Sequence, residues 1–68
     1  MDPLFQVHML NEQGKQSAQQ IAEAFDELVK KLAPLCGAGR EYAIVRTKLE
    51  EASFFAKKGM ASEPGNHI

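Results

Sequence analysis

Few side chains in this sequence could do covalent chemistry, and none is placed to do it. The candidate nucleophiles are Cys36, Ser17, Thr47, Ser53 and Ser62. Cys36 falls in Pro34-Leu35-Cys36-Gly37-Ala38-Gly39 with no histidine near it in sequence, so nothing marks its thiol as an activated thiolate. Glu50 and Glu51 are neighbours, and on a helix they point about 100° apart, too divergent for an acid/base dyad. His8 and His67 lie near opposite ends of the chain and belong to no cluster of metal-ligand spacing. Gly37-Ala38-Gly39 ahead of a helix faintly resembles a phosphate-cradling turn. No strand precedes it, so the dinucleotide-fold and P-loop readings fail. The expectation is a protein that is not an enzyme and uses no metal or cofactor.

Charge is the more informative chemistry. Arg40, Arg46, Thr47 and Lys48 fall within about two and a half turns of one helix, at 3.6 residues per turn. That helix is apolar on several sides and is expected to face other subunits. A buried cation needs an anionic or hydrogen-bonding partner, because leaving it unpaired is costly. Glu41, Glu50 and Glu51 could supply salt bridges, and Arg46 with Glu50 has the favourable i, i+4 spacing. Alternatively, copies of the same cations could meet across a symmetry axis. Such a ring of positive charge suits a small, cyclic, multiply phosphorylated ligand. Composition alone leaves both readings open.

The elements that position these groups are two helices. The first is expected from Gln13 or Gly14 to near Pro34. Ala18, Ile21, Ala22, Phe25, Leu28, Val29, Leu32 and Leu35 recur at steps of three and four along one stripe. Gln16, Gln19, Gln20, Glu23, Asp26, Glu27, Lys30 and Lys31 form the opposite, solvated face, with the two lysines suiting the negative end of the helix dipole. Proline and two glycines then break the helix and permit a tight reversal, which implies an antiparallel helical hairpin. The second helix is expected from Arg40 to Met60. Tyr42, Val45, Leu49, Ala52, Ala56 and Met60 make the stripe that packs on the first helix. Ile44 and Phe55 lie on one further flank, and Ala43 and Phe54 on another. A helix apolar on several sides is buried on several sides. The fold class is therefore all-α, an antiparallel hairpin in a homo-oligomer with the second helix central. Residues 1–12 read as an N-terminal arm that covers the hairpin or a neighbour, 13–61 as the hairpin domain, and 62–68 as a disordered tail.

Bulk properties point the same way. A chain of 68 residues is one domain at most, and one this small buries only about 60% of its unfolded surface. A single cysteine gives no intramolecular disulfide, and elimination leaves self-association as the source of extra burial. A net charge of −1 argues against a general DNA or RNA binder, which needs surplus Lys and Arg. The segment Leu4 to Leu10 is interrupted by Gln6 and His8 and follows no basic region. The expectation is no secretory signal, no membrane span and a cytoplasmic location.

The run GREYAIVRTKLEEASFFAKKGMA resembles the hairpin domain of phage anti-CBASS sponges, a domain shared with the Thoeris-blocking sponges. The resemblance continues upstream in LNEQGKQSAQQIAEAFDELVKKL and covers roughly residues 9–61. It implies a homo-oligomer, a hexamer in the anti-CBASS members, that binds cyclic dinucleotides between protomers without cleaving them. Some members also hold cyclic trinucleotides in separate pockets on a threefold axis. By resemblance, Arg40 and Thr47 belong to a trinucleotide-type pocket, with Arg46 and Lys48 as close competitors. For a dinucleotide pocket, Lys15 is the phosphate contact, Asn11 a reader of a base edge, and Phe5 or His8 the stacking group. The arm lacks the tyrosine expected there. Two other readings remain: an oligomeric adaptor that binds a protein through the glutamine-rich face of the first helix, and a sponge for cyclic ADP-ribose signals.

Overall fold

The structure is a computed structural model that describes residues 2–68; Met1, the first residue of the expected arm, lies outside the described residues. Two long helices form, α1 over Glu12–Cys36 and α2 over Arg40–Ser62, flanked by short 3₁₀ turns at Pro3–Phe5 and Pro64–Asn66. Among the described residues there is no strand, only an antiparallel bridge pairing Leu10 with His67.

Asn11 starts α1. Its backbone is extended and its Oδ1 accepts from the Gly14 N–H at 2.8 Å, satisfying a donor that the first turn would leave free. The helix does not stop at Pro34 but runs through it to Cys36. The hydrogen bond that proline forfeits would end on the carbonyl of Lys30, an exposed residue on the solvated face, where water can take its place. Lys30 and Lys31 consequently sit further from the helix end than expected, and the last turn carries no basic residue. Gly37 ends α1 with φ of 74°, a conformation open to glycine at no steric cost. Three residues, 37–39, complete the reversal.

Ala18, Ile21, Phe25, Val29 and Leu32 of α1 face Tyr42, Val45, Leu49, Ala56 and Met60 of α2, all half-buried, as the two stripes require. The Tyr42 hydroxyl donates to the Val29 carbonyl at 3.3 Å across the seam. Ala22, Leu28, Leu35 and Ala52, expected on the same stripes, are exposed, because one neighbouring helix covers only the middle of each stripe. All eight residues of the expected solvated face of α1 are exposed.

The segment expected to be disordered is folded instead. Pro64, Gly65 and Asn66 are turn formers, and here they make one defined turn. Beyond it the chain runs antiparallel to the arm. Asn11 N–H donates to the Asn66 carbonyl at 3.1 Å and Ile68 N–H to the Met9 carbonyl at 2.9 Å. The Asn66 side chain donates to the Met60 carbonyl at 3.0 Å, tying the turn to the end of α2. Gly14 is buried beneath this turn, and a Cβ there would collide with the Asn66 carbonyl oxygen.

Of the two expectations for the arm, coverage of its own hairpin is not what the chain shows. The arm touches α2 where the Lys58 ammonium donates to the Leu4 carbonyl at 3.1 Å. Leu4, Phe5, Val7 and Met9 nevertheless remain 66–86% exposed. No apolar side chain in the described chain is fully buried. The molecule is a slab of 42 × 25 × 11 Å, one helix diameter thick.

Candidate functional site

The candidate ligand-binding residues separate into two groups, the first on α2. Arg40, Thr47 and Lys48 are spaced seven and eight residues apart, which puts them on one face of the helix. With Ala43 and Ile44 they line a shallow recess of about 360 Å³. Arg46 lies round the helix from them and borders the groove between the helices, beside Asp26, Val29 and Glu50. Arg40, Arg46 and Lys48 are all exposed. Among the described residues the ion pairs are Lys15 with Glu12 and Lys30 with Asp26, so no cation of α2 is paired with a described carboxylate. The salt bridge suggested by the spacing of Arg46 and Glu50 is not formed. Thr47 donates its hydroxyl proton to the Ala43 carbonyl one turn back, at 3.2 Å, so the hydroxyl oxygen is left only as an acceptor.

The second group lies where the arm meets α1. Lys15 is exposed in the first turn, and Glu12 is its carboxylate partner among the described residues, at a loose 3.7 Å. Phe5 is 72% exposed at the end of the first 3₁₀ turn, free of the core role that aromatic side chains commonly take. His8 and Asn11 are half-buried and already engaged. The His8 ring stacks on His67, with centroids 4.4 Å apart and planes at 28°. Asn11 caps α1 with its oxygen and donates its Nδ2 to the Gly65 carbonyl at 3.0 Å. The His67 Nδ1 lies 2.7 Å from the Ala61 carbonyl, which can only accept, so that nitrogen carries the proton.

The sequence places Gly65, Asn66 and His67 in a disordered tail and does not bring them to His8 and Asn11. A glycine in the first turn of an amphipathic helix was the available signal, since such a residue often marks a close approach. The group whose proton affinity is clearly altered, Lys30, lies on the outer face of α1. Its hydrogen bond to Asp26 at 2.8 Å raises its pKa above the usual lysine value. Cys36 is a free, exposed thiol, and no group of His, Cys, Asp or Glu among the described residues is placed to hold a metal. Among the described residues, no helix is long and apolar enough to cross a membrane.

Fold and surface together define a helical hairpin whose polar chemistry sits on open faces rather than in an enclosed cavity. The chain belongs to the family described as Acb2/Tad1, hairpin domain, whose model matches residues 1–61. The resemblance to the anti-CBASS and anti-Thoeris sponges is thereby established, and family membership suggests a sponge-type anti-defence function. No curated protein and no solved structure matches the chain.

Proposed function

We propose that this chain assembles into a homo-oligomer, a hexamer by its family resemblance, with α2 at the centre. It sequesters cyclic dinucleotides, and cyclic trinucleotides in a second class of pocket, without cleaving them. It acts in the cytoplasm of an infected bacterium, where lowering the free messenger keeps CBASS effectors inactive. No DNA or RNA polymer, membrane, metal or cofactor has a part in this.

The observation that carries the reading is the exposed face of α2, where Arg40 and Lys48 flank Thr47 with no carboxylate partner among the described residues. Repetition of that face around an axis gathers cations against phosphates, which are bound by charge-assisted hydrogen bonds. The apolar side chains beside it, Ile44 at 42% exposed and Phe54 and Phe55 at 61% and 71%, give the copies a reason to associate. For a dinucleotide, Lys15 supplies the phosphate contact and Phe5 or His8 the stacking surface.

Isothermal titration with a 3′,3′-cyclic dinucleotide and with cyclic triadenylate, followed by heating to release the ligand, tests this. Tight binding with each ligand recovered intact is the expected result, with different stoichiometries for the two pocket classes. Absence of heat with either ligand at micromolar concentration rejects the sponge reading, and recovery of a cleaved product rejects the non-enzymatic one. The matched domain is common to anti-CBASS and anti-Thoeris proteins, which favours cyclic ADP-ribose signals as a second reading. Competition between the two ligand classes separates them.

A further inference from the structure

The turn and tail after α2 lie beyond the residues matched by the family model, yet they close over two of the groups assigned to ligand binding. We propose that residues 63–68 are an internal competitor: the tail occupies the positions a nucleobase would take on the arm, and binding there requires it to leave. This rests on the reading of the arm as part of a dinucleotide pocket.

Three observations carry it. His67 lies on the face of His8 at 4.4 Å and 28°, the arrangement a base adopts on an aromatic platform. The Gly65 carbonyl takes the Asn11 Nδ2 donor at 3.0 Å, and the Asn66 carbonyl takes the Asn11 backbone donor at 3.1 Å. These are the donors with which Asn11 would read an acceptor edge of a base, and both are spent on the tail. The hold is also incomplete. The Asn66 Oδ1 is buried with no hydrogen-bond partner, a penalty that release of the tail removes. Ile68, the last residue, is 86% exposed and anchored through its backbone. Phe5 and Lys15 are outside the clasp and stay available while it is shut.

A closed clasp lowers apparent affinity by the fraction of time it is open. If that is about one tenth, the dissociation constant rises about tenfold. Two variants remove the clasp by different routes. A chain ending at Ser62 lacks it. Gly14→Ala keeps the full chain but places a methyl group against the Asn66 carbonyl oxygen, while alanine suits the helix.

The experiment is calorimetric titration of the intact chain and both variants with a 3′,3′-cyclic dinucleotide, together with hydrogen exchange at the Ile68 amide in the intact chain. Both variants are expected to bind about tenfold more tightly, and saturating ligand strips protection from Ile68. Equal or weaker binding by the variants overturns the competitor, as does an Ile68 amide still protected in the saturated complex. Failure of all three proteins to bind is a different result: it rejects the dinucleotide pocket itself, and the competitor with it.

Discussion

Lys15 and Asn11 sit four residues apart at the start of α1, and the structure gives them different freedom. Lys15 is held by one long ion pair and its side chain is 64% exposed. Removing it therefore costs the fold little, whereas a hydrogen bond from an ammonium to a phosphate contributes roughly 1.5–3 kcal/mol. Lys15→Ala is expected to weaken dinucleotide binding by about ten- to a hundredfold on that scale, while sedimentation shows an unchanged assembly. Unaltered calorimetric affinity would make it an ordinary surface lysine. Asn11 has two jobs that substitutions can separate. Asn11→Asp keeps the oxygen that caps Gly14 but loses the Nδ2 donor to Gly65, and Asn11→Ala loses both. Loss of a cap costs about 0.5–2 kcal/mol. In thermal melts Asn11→Ala should therefore fall well below Asn11→Asp, while both loosen the tail in hydrogen exchange. Equal melting of the two would mean that the cap contributes nothing measurable.

At the scale of elements, two glycines in helices provide a controlled comparison. In a helix interior, Gly to Ala is favourable by about 0.8–1.0 kcal/mol. Gly59, near the end of α2, has nothing within 4 Å of where a Cβ would stand, so Gly59→Ala should raise stability by up to that amount. Gly14 has the same propensity to gain, but its Cβ meets backbone of the tail. Gly14→Ala should retain helicity by circular dichroism without the Gly59→Ala gain in melting temperature, and should lose protection at the Asn11 amide. A gain matching that of Gly59→Ala would show that the tail does not press on this turn. The same elements show what could be read without coordinates. Ile21, Phe25, Val29 and Leu32 announce α1 because helical period is a local property, and Pro34 to Gly39 announce the reversal for the same reason. Pro34 misplaces the helix end because its tolerance depends on whether the forfeited carbonyl meets water, a tertiary fact. The tail is misread because turn formers look alike whether they dock or not. Its docking depends on Gly14 and Asn11, more than fifty positions away. The candidate site divides similarly: the spacing of Arg40, Thr47 and Lys48 was legible, whereas the engagement of His8 and Asn11 by residues 65–67 was not.

The whole molecule has more surface than a stable monomer of its size. A folded 7.5 kDa protein is expected to expose about 4,250 Å², and this chain exposes 5,399 Å². Its radius of gyration, 14.6 Å, compares with about 11 Å for a compact chain of this length. The excess includes aromatic surface on α2, since Phe54 and Phe55 stand out on flanks that α1 does not reach. Two helices joined by one half-buried seam do not offset the entropy of ordering the chain, because isolated helices are marginal in water and no apolar residue among those described is fully buried. In the proposed oligomer, folding is coupled to association and stability becomes a function of protomer concentration. Helicity by circular dichroism should fall as the protein is diluted, and the melting temperature should rise with concentration. Sedimentation should show an assembly that dissociates over the same range. Phe55→Asp, which sets a charge into an apolar contact, should shift that dissociation to higher concentration and lower helicity with it, whereas Gln20→Lys on the exposed outer face of α1 should do neither. A monomer with a concentration-independent, cooperative melt would refute the coupling. It would also remove the symmetric meeting of Arg40, Thr47 and Lys48 on which the trinucleotide pocket depends, leaving an open helix face with too few cations to hold a multiply phosphorylated ring.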